Sequence, residues 1–161
     1  MGKLQHIQHQ ISAINDLIKI NHDRISGYEK ALEGNEDTAF IPVFTGYADQ
    51  SKKYAGELEA LIHSLGGEPA AGTTLTGKFY RTWLDIKSKV TGKDNKSILS
   101  DCEYGEEVIN KAYRDALDDK ELIWEDKQVV NLLTGHLKGL KLAYENIKAL
   151  RADASKPPIS T

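Results

Sequence analysis

Apolar side chains recur at alternating spacings of three and four along most of the chain, a period that predicts long amphipathic helices. In the first stretch Leu4, Ile7, Ile11, Ile14, Ile18, Ile25, Tyr28 and Leu32 share one face, Asn21 is the one polar residue in that register, and Gly34-Asn35 supplies the stop. The second repeats the spacing through Phe40, Phe44, Tyr47, Ser51, Tyr54, Leu58, Leu61 and Leu65 and ends at Gly66-Gly67-Glu68-Pro69. Asp37 and Thr38 offer caps for it, but Pro42 lacks a backbone donor, so its start is open over about four residues. The short link makes these two helices antiparallel neighbours.

The third helix runs from a cap at Asp94 or Asn95 to about Asp118, with Leu99, Cys102, Ile109, Tyr113, Ala116 and Leu117 on one stripe. Glu106 falls inside that stripe, Glu103 lies at its margin, and Glu107 points away. Asp119-Lys120 reads as a tight turn. The fourth helix carries Leu122, Val129, Leu133, His136, Leu140, Ala143, Ile147 and Leu150, and it gives way to the polar Ser155-Lys156-Pro157-Pro158. Between the second and third helices, Gly66 to Asp94 is a long connection, in which Phe79, Trp83, Ile86 and Val90 predict a short amphipathic helix after a Gly- and Thr-rich loop. Two hairpins of long helices joined by one long connection describe an all-α, ferritin-like four-helix bundle with a single crossover. The expected organisation is one domain over residues 1–154 with a flexible tail at 155–161, and with the second and third helices parallel.

The run Leu61-Ile62-His63-Ser64-Leu65-Gly66-Gly67-Glu68-Pro69 supports this reading. So do Trp83-Leu84-Asp85-Ile86-Lys87, Leu99-Ser100-Asp101-Cys102-Glu103-Tyr104-Gly105-Glu106-Glu107 and the closing Ile147-Lys148-Ala149-Leu150-Arg151. Together they resemble an uncharacterised bacterial family of ferritin-like four-helix-bundle proteins of unknown function. The resemblance spans most of the chain and implies the fold, with no agreed activity attached. Where members often place His, this chain has Tyr144, so the resemblance implies no ligand set.

An unpaired buried carboxylate costs several kcal/mol, so Glu106 needs a partner, a proton or a bound cation. Asn21, Ser51, Tyr54, Glu106 and His136 all lie near the middle of their helices, on or beside the apolar stripe, and would meet in one central polar layer. One reading is a hydrogen-bonded layer in which His136 pairs with Glu106 and the network sets helix register. The other is a metal site for iron, zinc or manganese built on Glu103, Glu106, His136 and Glu57. Di-iron bundles use four carboxylates and two imidazoles, including Glu-x-x-His pairs, and this chain has no Glu-x-x-His. The shortfall favours a non-catalytic interaction or structural protein over a metal-binding one. His6, His9, His22 and His63 are expected to face solvent, and Cys102 to be a small buried hydrophobe.

Composition narrows the remaining classes. Of 161 residues, 40% are hydrophobic and 28% charged, and no apolar run approaches the roughly 20 residues needed to cross a bilayer. The single cysteine excludes an internal disulfide, and the start lacks a signal-peptide core, so the expected location is the cytoplasm. A net charge of −3 provides no global field for nucleic acid, which is not expected as a partner. Lys78, Arg81, Lys87, Lys89, Lys93 and Lys96 are read as a solvated face. No phosphate loop, nucleophile elbow, zinc-ligand cysteine pair or dinucleotide fingerprint occurs, and no catalytic residue is assigned. The expected assembly is a homo-oligomer, using apolar surface at Trp83 and Trp124.

Overall fold

The computed structural model describes residues 3–72 and 94–154. The expected crossover helix, the basic residues 78–93, Trp83 and the tail at 155–161 lie outside the described residues. Within them run helices α1 (Lys3–Gly34), α2 (Ile41–Ser64), α3 (Asn95–Asp118) and α4 (Lys127–Ala154).

Local chemistry explains the helix ends. Asp37 caps a short 3-10 turn at Thr38–Phe40 by accepting from the Ala39 amide, and α2 follows with Pro42 in its first turn, where no intrahelical donor is needed. The Asp94 carboxylate accepts from Ser97 N to start α3. After α2, Gly66 adopts φ 81° and the Gly67 amide returns to the Ile62 carbonyl, closing the helix. Gly67 packs so closely on Ile11 and Ile62 that a Cβ there would crowd both.

The α3–α4 link is not the expected tight turn. It occupies residues 119–126, and α4 begins at Lys127. Asp119 accepts from Glu121 N, Asp126 accepts from Gln128 N, and Ile123 sits at φ 48°, a left-handed conformation that ends helical continuity and strains a β-branched residue. Trp124 belongs to this link. It is half-buried against the core and donates from Nε1 to the Ala116 carbonyl, 2.8 Å away, so it does not present the free apolar surface expected of it.

Side-chain pairings set the topology. Arg24 meets Ser51, and Tyr28 meets Phe44, so α1 and α2 are antiparallel. Asn21 meets Tyr113 while Arg24 meets Glu106, so α1 and α3 are antiparallel. Asn110 meets Leu140, and Tyr144 meets Glu107, so α3 and α4 are antiparallel too. It follows that α2 and α3 run parallel, as a single-crossover bundle requires. The core is a continuous set of buried residues from all helices, including Ile14, Ile18, Leu58, Ile62, Leu99, Cys102, Ile109, Leu133, Leu140 and Ile147. Leu4, expected on the α1 stripe, is 72% exposed at its first turn.

Candidate functional site

All of the residues expected in the central layer are buried: Asn21, Ser51, Tyr54, Glu106 and His136. They divide between two networks. In the first, α3 presents Glu106 to α1, where Arg24 Nε donates to Oε1 at 2.8 Å and the Tyr28 hydroxyl donates to the same oxygen at 2.5 Å. Arg24 Nη1 reaches Ser51 Oγ at 2.9 Å and the Tyr47 carbonyl at 3.3 Å on α2. Its guanidinium carbon lies 5.5 and 5.4 Å from the ring centroids of Tyr28 and Tyr47, within cation–π range. Arg24 and Glu106 are both completely buried. Burial pulls the Arg24 guanidinium down from its ordinary range, but the charge and hydrogen bond of Glu106, with smaller contributions from Tyr28 and Tyr54, together outweigh it and the net direction is up. Burial and Glu106 together push the Tyr28 phenol well up, so it stays a donor.

In the second network, directionality fixes a tautomer. Asn21 Nδ2 donates to the Leu17 carbonyl at 2.8 Å and to Tyr113 Oη at 2.9 Å. Having accepted from Asn21, the Tyr113 hydroxyl donates to His136 Nδ1 at 2.9 Å. The imidazole proton therefore sits on Nε2 and points to Glu57 Oε1 at 3.3 Å. Tyr54 stacks on the imidazole, with centroids 3.8 Å apart and planes 15° from parallel. Gly139 makes room for it, since a Cβ there would run into the Tyr54 hydroxyl and Gln50. Burial lowers the His136 pKa, and the bond to Glu57 only partly restores it. The net direction is down because Glu57 is 38% exposed and its attraction is screened, and because the Tyr113 hydrogen bond requires Nδ1 to be unprotonated.

The expected Glu106–His136 pair does not form. Glu106 takes Arg24 and Tyr28, while both ring nitrogens of His136 are taken by Tyr113 and Glu57. The α3–α4 register explains this. With Asn110 opposite Leu140, His136 stands near Tyr113, and Glu106 stands about two turns away, or roughly 12 Å along the axis at 1.5 Å per residue. The other expected ligands are dispersed as well. Glu103 is half-buried and pairs with Arg151 at the far end of the α3–α4 hairpin. Among the described residues no three His, Cys, Asp or Glu side chains converge on a point that would hold a metal ion.

The donor set therefore fits a resident metal poorly. Glu106 keeps one buried oxygen, Oε2, without a hydrogen-bond partner among the described residues, but the guanidinium beside it would repel a cation. Glu57 and His136 supply two ligands where a closed site needs about four.

Sequence reasoning missed Arg24, Tyr113 as a link, and Asn110, whose Nδ2 donates to the carbonyls of Glu106 and Leu140. A signal for Arg24 existed: Asn21, Arg24 and Tyr28 are three and four apart. His6 and His22 are half-buried, while His9 and His63 are exposed. His22 ties α1 to the segment after α2, donating from Nδ1 to the Gly72 carbonyl at 2.6 Å.

No curated protein matches the chain. Solved structures with the same architecture include a Mycobacterium smegmatis Dps1 mutant, with a TM-score of 0.71 and 15% identity, covering 94% of this chain and 99% of that one. They also include the ferritin-like, diiron-carboxylate protein of Bacillus anthracis str. Ames, with a TM-score of 0.59 and 15% identity, covering 96% of each chain. At such identity the likeness establishes the fold, a ferritin-like four-helix bundle. The model of one family spans residues 9–119, which hold α1, α2 and α3 with Arg24, Tyr28, Ser51 and Glu106, and leaves His136 outside. The chain belongs to that family, the domain of unknown function DUF2383.

Proposed function

We propose that this protein is a non-catalytic, ferritin-like interaction protein whose bundle is held by an internal guanidinium–carboxylate layer instead of a metal centre. The observation that carries the reading is the Arg24–Glu106 pair at 2.8 Å, completely buried at the middle of the bundle. In a carboxylate-lined bundle the buried negative charge needs a counter-cation. Here a side chain of the same polypeptide supplies it, permanently charged and clamped by Ser51, Tyr47 and Tyr28. Such a layer is suited to setting helix register, which leaves function to the outer surfaces.

We further infer a homo-oligomer located in the cytoplasm. Exposed apolar side chains at Ile41 and Leu142 support self-association, and among the described residues no helix is long and apolar enough to cross a membrane.

Elemental analysis of untagged protein tests the main reading. The expected result is less than stoichiometric iron, zinc and manganese, and unchanged melting on adding each ion or a chelator. Stoichiometric metal, with a melting temperature that falls in chelator, would establish the metal-binding alternative, for which Glu57 and His136 are the available ligands. Sedimentation equilibrium tests the assembly, and a monomer at all accessible concentrations would refute it.

A further inference from the structure

The outer seam between α3 and α4 forms a groove of about 520 Å³ that belongs to neither polar network, a volume within the range of small-molecule sites. Its carboxylates gather toward one end of the helix axes, while its cations are spread along the length. With Asn110 opposite Leu140 and Glu107 opposite Tyr144, the α3 residues Lys111 and Arg114 fall toward one end and the α4 residue Lys141 stands level with Asn110. Glu107, Tyr144 and Glu145 fall toward the other, joined there by Lys148 one turn beyond Tyr144.

The cations are not equivalent. Lys111 is bound to Asp115 at 2.6 Å, and Lys148 lies 5.9 Å from the Tyr144 ring centroid, whereas Arg114 and Lys141 have no ion-pair partner among the described residues. The floor contributes a second feature. Asn110 is 3% exposed and lines the groove, and both hydrogens of its Nδ2 are spent on the Glu106 and Leu140 carbonyls. That leaves Oδ1 as an acceptor held in fixed orientation between the two ends.

We propose that this groove binds a small phosphorylated molecule, with its phosphate between Arg114 and Lys141 and a donor-rich end against Asn110, Glu107 and Glu145. Arg114 offers a planar fork to phosphate oxygens and Lys141 a point charge. The carboxylates and the Asn110 oxygen only accept, so they select hydroxyl or amino groups at the other end. The Tyr144 ring, already a platform for Lys148, is placed to pack against a sugar or base face. A nucleoside monophosphate and a sugar phosphate share this chemistry.

Titrations of the full chain followed by two-dimensional NMR would use adenosine monophosphate, ribose 5-phosphate, inorganic phosphate and adenosine as probes. The proposal expects saturable shifts of the Asn110 side-chain amide and of Tyr144 with one or both phosphorylated organic probes. Arg114→Ala and Lys141→Ala should each weaken that binding about tenfold, the loss of one charge-assisted contact, while Lys127→Ala leaves it unchanged. Ribose 5-phosphate binding as tightly as adenosine monophosphate assigns a sugar phosphate, and a clear preference for the nucleotide assigns a nucleotide. Absence of saturable binding, equal binding of inorganic phosphate or of adenosine, or indifference to both substitutions would overturn the proposal.

Discussion

The two halves of the buried layer solve one physical problem in opposite ways. Around Glu106 the bundle buries a full charge pair completely and ties it to groups on three helices. Around His136 it buries a neutral imidazole in a one-way chain from Asn21 through Tyr113, ending at the half-exposed Glu57. The first arrangement makes each member indispensable to the other, because removing either leaves an uncompensated charge in the core. The second makes the imidazole tolerant of loss and sensitive to protons, because its stability depends on staying neutral.

Breaking the charged half should have the largest effect. Glu106→Ala strands the Arg24 guanidinium, and Arg24→Met strands Glu106, so each should destabilise the fold by about 3–5 kcal/mol in urea unfolding. The double variant Arg24→Met with Glu106→Leu should recover most of that loss, since two apolar side chains no longer need each other's charge. Either single variant within about 1 kcal/mol of the parent would mean that the pair is not the counter-charge it is taken to be.

The neutral half is broken sterically. Gly139→Ala drives a methyl group into the Tyr54 hydroxyl and must unseat the stack on His136, with an expected loss of about 1–3 kcal/mol. Gly135→Ala, one turn earlier and in open space, should stabilise the helix by up to about 1 kcal/mol. Thermal melts of the two variants separate close approach from glycine flexibility, and equal shifts would remove the packing explanation.

Acidification sharpens the comparison further. His136 has a lowered pKa in the fold, so the unfolded chain binds a proton that the native state refuses. Its contribution to stability is complete above the ordinary histidine value of 6.5 and is lost as pH falls below that toward the lowered value. The slope in that window is at most about 1.4 kcal/mol per pH unit. His136→Gln should abolish this component of the pH dependence, whereas Arg24→Met should leave it in place. An unchanged profile in His136→Gln would show that the imidazole protonates without penalty. The smallest effect is expected from Glu57→Gln, within about 1 kcal/mol at neutral pH because the pair is partly solvated, with the histidine window moving to lower pH.

The three- and four-residue spacing by itself determined the helices and most of their buried faces, because an amphipathic stripe needs only to know that some core exists. Gly34-Asn35 and Gly66-Gly67 were legible as stops because helix termination is local chemistry. Glu106 and His136 were legible as core positions for the same reason, and so was the need of Glu106 for a partner. The identity of that partner was not. A tight turn at Asp119-Lys120 would set Glu106 and His136 at similar levels, whereas the eight-residue link with Ile123 in a left-handed conformation shifts α4 along α3 and brings His136 to Tyr113 instead. Arg24 shares a stripe with Asn21 and Tyr28, yet an arginine alone is cheaper to leave in water. Only the tertiary structure, by setting Glu106 from 82 residues away within 2.8 Å of it, makes its burial favourable, since the desolvation of each charge is offset by an opposite charge that its own helix does not supply.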